Sequence, residues 1–183
     1  PGVTLYGQDI DPAAAGLARV RLQLAGADAD IRVGDSLRAD AFPGLAADTV
    51  VLHPPFNQTD WGFEELSFDS RWRYGTPARK EPELAWVQHA LAHVRPGGTA
   101  IVVLPPAVAS RGSGRRVRRE LLRRGALRAV IALPTGLATP MGTPLTLWIL
   151  RNPEDSTDLP GKVLLFDASD GRVDDSPQSS TQP

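Results

Sequence analysis

Three predicted strands end in side chains that could bind a polar ligand or act on one. Asp9 follows the first strand, Asp35 follows the second, and a His-Pro-Pro-Phe segment at 53–56 follows the third. The carboxyl ends of parallel strands meet at one edge of an α/β sheet, and ligands bind beyond that edge. A carboxylate there commonly accepts hydrogen bonds from ribose hydroxyls, and a second one can accept from an adenine amino group. The alternative for each aspartate is a capped turn at the surface.

The segment at 53–56 carries the sharpest signal. Pro54 and Pro55 remove two backbone donors and hold the chain extended, which leaves carbonyl oxygens free. A fixed carbonyl beside the ring of Phe56 suits a flat heterocycle with an exocyclic amino group, because the carbonyl accepts the N–H and the ring stacks. The alternative is a turn that ends the strand and buries Phe56 in the core.

An alternating α/β framework must position these groups, and the apolar pattern predicts one. Helical spacing of apolar residues predicts helices at about 12–25, 81–94 and 113–124. Short apolar runs predict strands at 3–7, 29–33, 49–52, 99–104, 127–133, 145–150 and 163–166.

Two stretches lack such a period. The segment 57–80 contains Trp61, Trp72 and Tyr74, which either clamp a ligand or cover the edge of the core. From 169 to 183 the chain is rich in Ser, Asp, Gln and Pro, which predicts a disordered tail after a folded unit at 1–168.

The composition excludes several classes of protein. The chain has 183 residues, a net charge of −1 and no cysteine, so disulfides, thiolate zinc sites and cysteine nucleophiles are excluded. No apolar run approaches the roughly 20 residues of a membrane helix, which predicts a cytoplasmic protein without a membrane partner. His89 and His93 have a spacing that can bind zinc, but no third ligand stands near them in the sequence, and no metal site is predicted.

Several ordered segments resemble the N6-adenine DNA methyltransferases, specifically the modification subunit of type I restriction–modification systems. The resemblance covers about 1–168. The matching segments are Gly-Gln-Asp-Ile-Asp-Pro at 7–12, Arg-Val-Gly-Asp-Ser-Leu at 32–37, Val-Val-Leu-His-Pro-Pro-Phe at 50–56, Leu-Ala-Trp-Val-Gln-His at 84–89, Arg-Pro-Gly-Gly at 95–98, Leu-Pro at 104–105 and Val-Ile-Ala-Leu-Pro-Thr-Gly-Leu at 130–137.

The resemblance implies a fold and a cofactor. The fold is the class I S-adenosylmethionine-dependent methyltransferase fold, a Rossmann-like three-layer α/β sandwich with a mostly parallel sheet. The reaction is methyl transfer from S-adenosylmethionine to N6 of a flipped-out adenine in DNA. By the same resemblance, Asp9 with Ile10 holds the cofactor ribose, and Asp35 with Ser36 holds the cofactor adenine.

The catalytic segment departs from the family at one position. In the family an asparagine oxygen accepts one hydrogen of the adenine amino group and the next proline carbonyl, here that of Pro54, accepts the other. Pro55 follows, and Phe56 stacks on the base. His53 stands in the place of the asparagine. A neutral imidazole has one acceptor nitrogen and a protonated one has none, so weakened or absent adenine methylation is expected.

The family's glycine-rich cofactor loop, which follows its first strand, has no counterpart in this sequence. We therefore expect a fragment whose sheet lacks that strand, between the strands that end at Asp9 and His53. Either its place is empty and the sheet is rearranged, or another chain fills it, as in a homodimer or a strand swap.

Positive charge is concentrated on one predicted helix and the residues just before it. A solvated face is one explanation, and contact with DNA phosphates or with a partner subunit is the other. The expected partners are DNA and the specificity and restriction subunits of a type I system. The predicted DNA-binding residues are Arg111, Arg115, Arg116, Arg119 and Arg123, while Arg118 and Arg124 are expected on the same outer face.

Two other functions stay open. A non-catalytic relative would keep the fold and act as a binding or scaffold subunit, and His53 favours it. A methyltransferase that acts on a protein glutamine or an RNA guanine would share a similar Pro-Pro-aromatic segment. The segments at 84–89 and 133–137 favour the DNA branch.

Overall fold

The structure is a computed structural model that describes residues 2–136, 143–153 and 162–170. Most of the predicted tail at 169–183 and part of the loop at 134–142 lie outside the described residues. Across the described ranges, no helix has the length and apolar character needed to cross a membrane.

Seven strands and three α-helices occur along the described residues, in the order that the apolar pattern predicts. Two short 3-10 turns, Pro106–Ala109 and Gly112–Gly114, precede the last helix. The helices are α1 (Pro12–Leu24), α2 (Pro82–Ala92) and α3 (Arg115–Arg123). The strands are β1 (Thr4–Asp9), β2 (Asp28–Val33), β3 (Ala47–Leu52), β4 (Val94–Leu104), β5 (Leu127–Ala132), β6 (Thr146–Arg151) and β7 (Leu164–Asp167).

The start of β4 differs from the prediction. The Pro-Gly-Gly segment at 96–98, which the sequence suggests as a helix stop, already lies inside the strand. Asn152 fixes this part of the strand, because its side-chain amide donates to the Val94 carbonyl at 2.7 Å and its carbonyl accepts from the Gly97 amide at 2.8 Å. A Cβ at Gly98 would lie 2.8 Å from the Asp48 carbonyl oxygen. Glycine therefore permits a close approach of β4 to the start of β3.

The strands form two separate sheets within the described residues. β1 pairs with β2 in parallel, and the larger sheet has the order β3-β4-β6-β5-β7, with β6 antiparallel to both neighbours. β1 and β3 thus each have one edge without a partner strand, and Val51 on β3 is 71% exposed. The strands that end at Asp9 and His53, β1 and β3, belong to different sheets and do not pair. This division corresponds to the gap expected between them.

The main core lies between the larger sheet and helices α2 and α3. Leu84, Val87 and Leu91 face inward from α2, and Val117 and Leu121 face inward from α3, as their spacing predicts. They pack on Val102, Leu104, Trp148 and Leu150 of β4 and β6.

A second core joins the two sheets. Leu37, in the connector between β2 and β3, is buried among Trp61, Trp72 and Trp86. Arg71 adds polar contacts to this connector, because its guanidinium donates to the Leu37 carbonyl at 2.6 Å. Of the two roles open to the aromatic residues of 57–80, burial in the core is the one observed for Trp61 and Trp72, and Tyr74 is buried in the main core.

A histidine cluster forms another tie between the connector and α2. His93 Nε2 lies 2.9 Å from an Asp40 carboxylate oxygen, at an angle poor for a hydrogen bond, and His93 Nδ1 lies 2.8 Å from the His89 carbonyl oxygen. Both ring nitrogens of His93 thus face oxygens, one on the connector and one on α2, and the side chain is largely buried between them.

Asp40 is the third potential metal ligand that the sequence does not show near His89 and His93. The three potential ligand atoms lie within 4.8 Å of one another. Arg71 Nη1 lies 2.9 Å from His89 Nδ1, and since a guanidinium only donates, that nitrogen accepts and the proton is on Nε2. This tautomer does not offer His89 Nε2 to a metal, so we assign the cluster a structural role.

His89 makes the stability of the fold depend on pH. Burial, followed by the positive charges of His93 and Arg71, lowers the pKa of His89 from 6.5 to about 3. Below about pH 6.5 His89 is protonated in the unfolded chain but stays neutral in the folded chain. The contribution of neutral His89 to stability is therefore lost as pH falls. We expect the free energy of unfolding to fall by about 1–2 kcal/mol more between about pH 6.5 and pH 5 than in a His89→Gln chain. Urea denaturation of both chains measures this, and equal pH dependence would contradict it.

Candidate functional site

The carboxyl ends of β1, β2 and β3 enclose a cavity of ≈ 270 Å³. This convergence follows from the parallel direction of the strands in each sheet and from the core that joins the two sheets. Seven of the eight residues that the sequence suggests for catalysis and cofactor binding line it. These are Asp9, Ile10, Asp35, Ser36, His53, Pro54 and Pro55.

The two aspartates cap turns and each keeps one carboxylate oxygen available. Asp9 Oδ1 accepts from the Asp11 amide at 2.8 Å, and Asp35 Oδ1 accepts from the Leu37 amide at 2.9 Å and the Arg38 amide at 3.2 Å. The second oxygen of each carboxylate has no protein donor within the described ranges. Turn capping and ligand binding are therefore compatible here, because capping fixes the side chain and leaves an acceptor.

The His-Pro-Pro-Phe segment begins directly after β3. Pro54 is buried and His53 is exposed. Phe56 is partly buried, its ring centroid lies 5.4 Å from that of His53, and the two ring planes are tilted by 43°. Phe56 is the predicted site residue that is absent from the lining of the cavity.

Two lining residues carry buried polar atoms without a hydrogen-bond partner in the part of the chain that the structure describes. These are the indole nitrogen of Trp86 and the side-chain oxygen of Gln58. Leaving a buried polar group unpaired costs about 1–3 kcal/mol, so a ligand or water that bonds to either atom would remove this cost. The sequence pattern places Trp86 only in a helix segment. Nothing in that pattern indicates that its indole lies beside the strand ends.

A second, more open cavity of ≈ 1020 Å³ lies along α3. Its walls include Trp72, Tyr74 and Glu120, and the guanidinium of Arg124 lies 5.6 Å from the centroid of the Tyr74 ring. We call this cavity the arginine groove. The arginines that line it are Arg73, Arg115, Arg116, Arg119 and Arg124.

The predicted arginine face is divided by the structure. Arg115, Arg116 and Arg119 line the groove, whereas Arg123 pairs with Glu120 at 2.8 Å and Arg111 pairs with the buried Glu83 at 3.0 Å.

The expectation that Arg118 belongs to the outer face is wrong. Its guanidinium donates to the carbonyls of Val108 at 3.0 Å and Arg111 at 2.7 Å, inside the connector between β4 and α3. Partial burial accordingly lowers its pKa. Arg73, which the sequence does not single out, lines the groove in its place.

Two solved methyltransferase structures share this architecture. A type I restriction–modification methyltransferase subunit from Streptococcus thermophilus has a TM-score of 0.79 at 24% identity, over 92% of this chain and 42% of that one. A Listeria monocytogenes protein, described as a class I S-adenosylmethionine-dependent methyltransferase, has a TM-score of 0.74 at 20% identity, over 91% of this chain and 50% of that one. At these identities the likeness shows the fold alone, which is the predicted class I methyltransferase fold.

Sequence comparisons identify the family. MjaIX, a type I restriction enzyme methylase subunit from Methanocaldococcus jannaschii, is 31% identical over 173 residues, which are 91% of this chain and 31% of that protein. The HindI methylase subunit from Haemophilus influenzae is 29% identical over 170 residues, 91% of this chain and 38% of that protein. This chain thus spans about a third of the length of these relatives. The sequence profile of the N-6 DNA methylases matches residues 1–182, and the chain belongs to that family.

Proposed function

We propose that this chain forms part of a type I methylase subunit that methylates N6 of adenine in DNA. The observation that carries the proposal is the single cavity at the strand ends, where Asp9, Asp35, His53 and Pro54 converge. The type I methylase subunits among its relatives support the same assignment.

The residues of the cavity fit S-adenosylmethionine as the cofactor. The available oxygen of Asp9 suits the ribose hydroxyls, and that of Asp35 suits the amino group of the adenine ring. Ile10 and Ser36 lie beside these carboxylates, and the unpaired indole N–H of Trp86 is a donor for a ring nitrogen. When bound, the cofactor supplies the methyl group.

The β3 end supplies acceptors for the substrate. The lone pair of adenine N6 is delocalised into the ring, so acceptors on both amino hydrogens concentrate electron density on that nitrogen as the new bond forms. The Pro54 carbonyl is one acceptor, and a neutral His53 ring nitrogen is the second. Phe56 next to them provides an aromatic face for the flipped base.

A non-catalytic binding subunit is the second candidate, and His53 is the observation that favours it. An imidazole offers a single acceptor nitrogen and only in its neutral form, whereas an asparagine oxygen accepts in every state. The cavity and the groove would then bind ligand and DNA without methyl transfer.

Two surface features of the chain, the arginine groove and the open strand edges, are suited to binding partners. The arginine groove suits a polyanion, which we take to be the phosphates of DNA, and Arg123 extends the positive surface although it already has a carboxylate partner. The edges of β1 and β3 that have no partner strand among the described residues suit a strand from elsewhere in the protein or from a second copy. Specificity and restriction subunits in the cytoplasm complete the proposed assembly.

His53 decides between the two candidate functions. In the full-length subunit with its specificity subunit, we expect His53→Asn to raise the rate of adenine methylation about tenfold or more, because asparagine restores a fixed acceptor. His53→Leu, which has no acceptor, is the matched variant and should have no activity. Methyl incorporation into adenine-containing duplexes is measured. Equal rates for wild type and His53→Asn would show that the imidazole is an adequate acceptor, and inactivity of both would favour the binding subunit.

Trp86 tests the cofactor cavity. Trp86→Phe keeps an aromatic ring but removes the indole N–H, so we expect the Kd of S-adenosylmethionine to rise about fivefold. Trp148→Phe is the matched control, because its indole nitrogen is also buried and unpaired in the described structure but does not line the cavity. Calorimetry on the full-length subunit measures both. Equal effects of the two substitutions would argue against a ligand contact at Trp86.

The arginine groove is tested by the salt dependence of DNA binding. Replacing Arg115, Arg116 and Arg119 together by Gln should reduce the slope of log K against log salt concentration by about 2–3, since each lost phosphate contact removes about 0.9. Replacing Arg19, Arg21 and Arg32 removes the same charge from the β1–β2 part of the chain and should change the slope little. Fluorescence anisotropy with a labelled duplex measures both, and equal slopes for the two triple variants would exclude the groove.

A further inference from the structure

Asn57, immediately after the predicted catalytic segment, has an unusual backbone conformation. Its φ is 55°, and within the described ranges it is the single non-glycine residue with a positive φ. Asparagine enters the left-handed region more readily than most non-glycine residues, and further contacts hold the chain in this turn.

Glu83 and Arg111 supply those contacts. Glu83 Oε1 accepts from the Asn57 backbone amide at 2.8 Å, and Glu83 Oε2 accepts from Arg111 Nη1 at 3.0 Å. Arg111 Nη2 donates to Asn57 Oδ1 at 2.8 Å, which closes a ring of three hydrogen bonds. We call these three residues the Asn57 clamp.

The clamp is set in rigid surroundings. Glu83 lies in the first turn of α2 with no exposed surface, and Arg111 lies in the connector between β4 and α3. Arg118 holds the Arg111 carbonyl, and the fully buried Glu81 lies 3.8 Å from the Arg111 guanidinium. Removing either member of a buried ion pair leaves the other charge uncompensated, so the pair fixes the distance between α2 and the connector.

The clamp can control the direction of the acceptors that precede it. The Pro55 ring locks its own φ near −65° and restricts Pro54 to an extended ψ, so the free backbone dihedrals between the Pro54 carbonyl and Asn57 are ψ of Pro55 and the two dihedrals of Phe56. A fixed Asn57 therefore restricts the positions that the Pro54 carbonyl and the ring of Phe56 can take.

We propose that Glu83 and Arg111 are positioning residues, which hold Asn57 in its left-handed turn and thereby aim the Pro54 carbonyl and the Phe56 ring at the substrate amino group. This proposal rests on the proposed adenine methylation. It assigns Arg111 a role inside the protein in place of the predicted contact with DNA phosphate.

The test uses the full-length subunit with its specificity subunit. Glu83→Gln keeps the size of the side chain but turns an amide N–H toward the Arg111 guanidinium. We expect kcat for adenine methylation to fall about tenfold or more, while the Kd of S-adenosylmethionine stays within about twofold, because Asp9 and Asp35 are untouched. Arg111→Lys keeps the positive charge but cannot donate to Glu83 and Asn57 in the geometry of the two guanidinium nitrogens. We expect it to lower kcat and to leave the Kd of S-adenosylmethionine unchanged in the same way. Glu65→Gln, which breaks an exposed pair with Arg38, is the matched control and should leave both quantities unchanged.

Hydrogen exchange gives a readout that does not need activity. The amides of segment 56–58 should exchange about tenfold faster in Glu83→Gln, with no such change in Glu65→Gln. If the enzyme proves inactive on adenine, the proposed function fails, and the exchange rates still decide whether the clamp exists. Unchanged exchange and unchanged kcat in Glu83→Gln would overturn the proposal.

The pattern of exchange separates positioning from stability of the fold. Urea denaturation shows whether Glu83→Gln and Arg111→Lys are folded under the assay conditions. A loss of kcat in a folded chain with faster exchange confined to 56–58 supports positioning, whereas faster exchange spread over the chain would indicate a role in fold stability alone and would overturn the proposal. If Glu83→Gln does not fold, Arg111→Lys gives the same comparison.

Discussion

The candidate site depends on one packing contact, the burial of Leu37 among three tryptophans. The described strands form two sheets that share no strand, so Asp9 and Asp35 belong to one part of the chain and His53 belongs to the other. Leu37 from the β2–β3 connector fills the space between Trp61, Trp72 and Trp86, and this apolar contact brings the strand ends together. The connector itself provides Asp35, so the same short segment joins the two sheets and contributes to the cavity.

Polar contacts give the apolar contact a defined geometry. Arg71 donates to the connector carbonyl of Leu37, pairs with Asp69 and donates to His89. Gln8 at the end of β1 donates to the Ala39 carbonyl and accepts from the Ala41 amide. A hydrophobic contact alone is non-directional and would allow the two sheets to shift relative to each other. These directional hydrogen bonds to the connector fix its position.

The chemistry of the site is limited by the donors and acceptors at the end of β3. Pro54 and Pro55 have no backbone N–H, so the segment offers carbonyl acceptors without competing donors, and the Asn57 clamp limits the motion of the segment. His53 is exposed and carries no such clamp, so its contribution depends on its protonation and its ring orientation. The site thus combines one well-fixed acceptor with one variable acceptor.

The sequence by itself determined the α/β order, the membership of the strand-end residues in one site and the resemblance to adenine methylases. These follow from local information, since apolar periodicity defines strands and helices, and parallel strands bring their carboxyl ends to one edge. The misplaced start of β4 shows the limit of this logic, because Asn152, more than 50 residues away, holds Val94 in the strand.

Only the tertiary structure decided how the charged and aromatic side chains are used. Arg111 and Arg118 look like their neighbours on an arginine-rich stretch, yet the first pairs with a buried carboxylate and the second with buried carbonyls. Trp86 becomes a wall of the cavity, and Asp40 becomes the partner of His93. These roles come from partners distant in the sequence, and a pattern of residue types along the chain contains no information on which distant groups will meet.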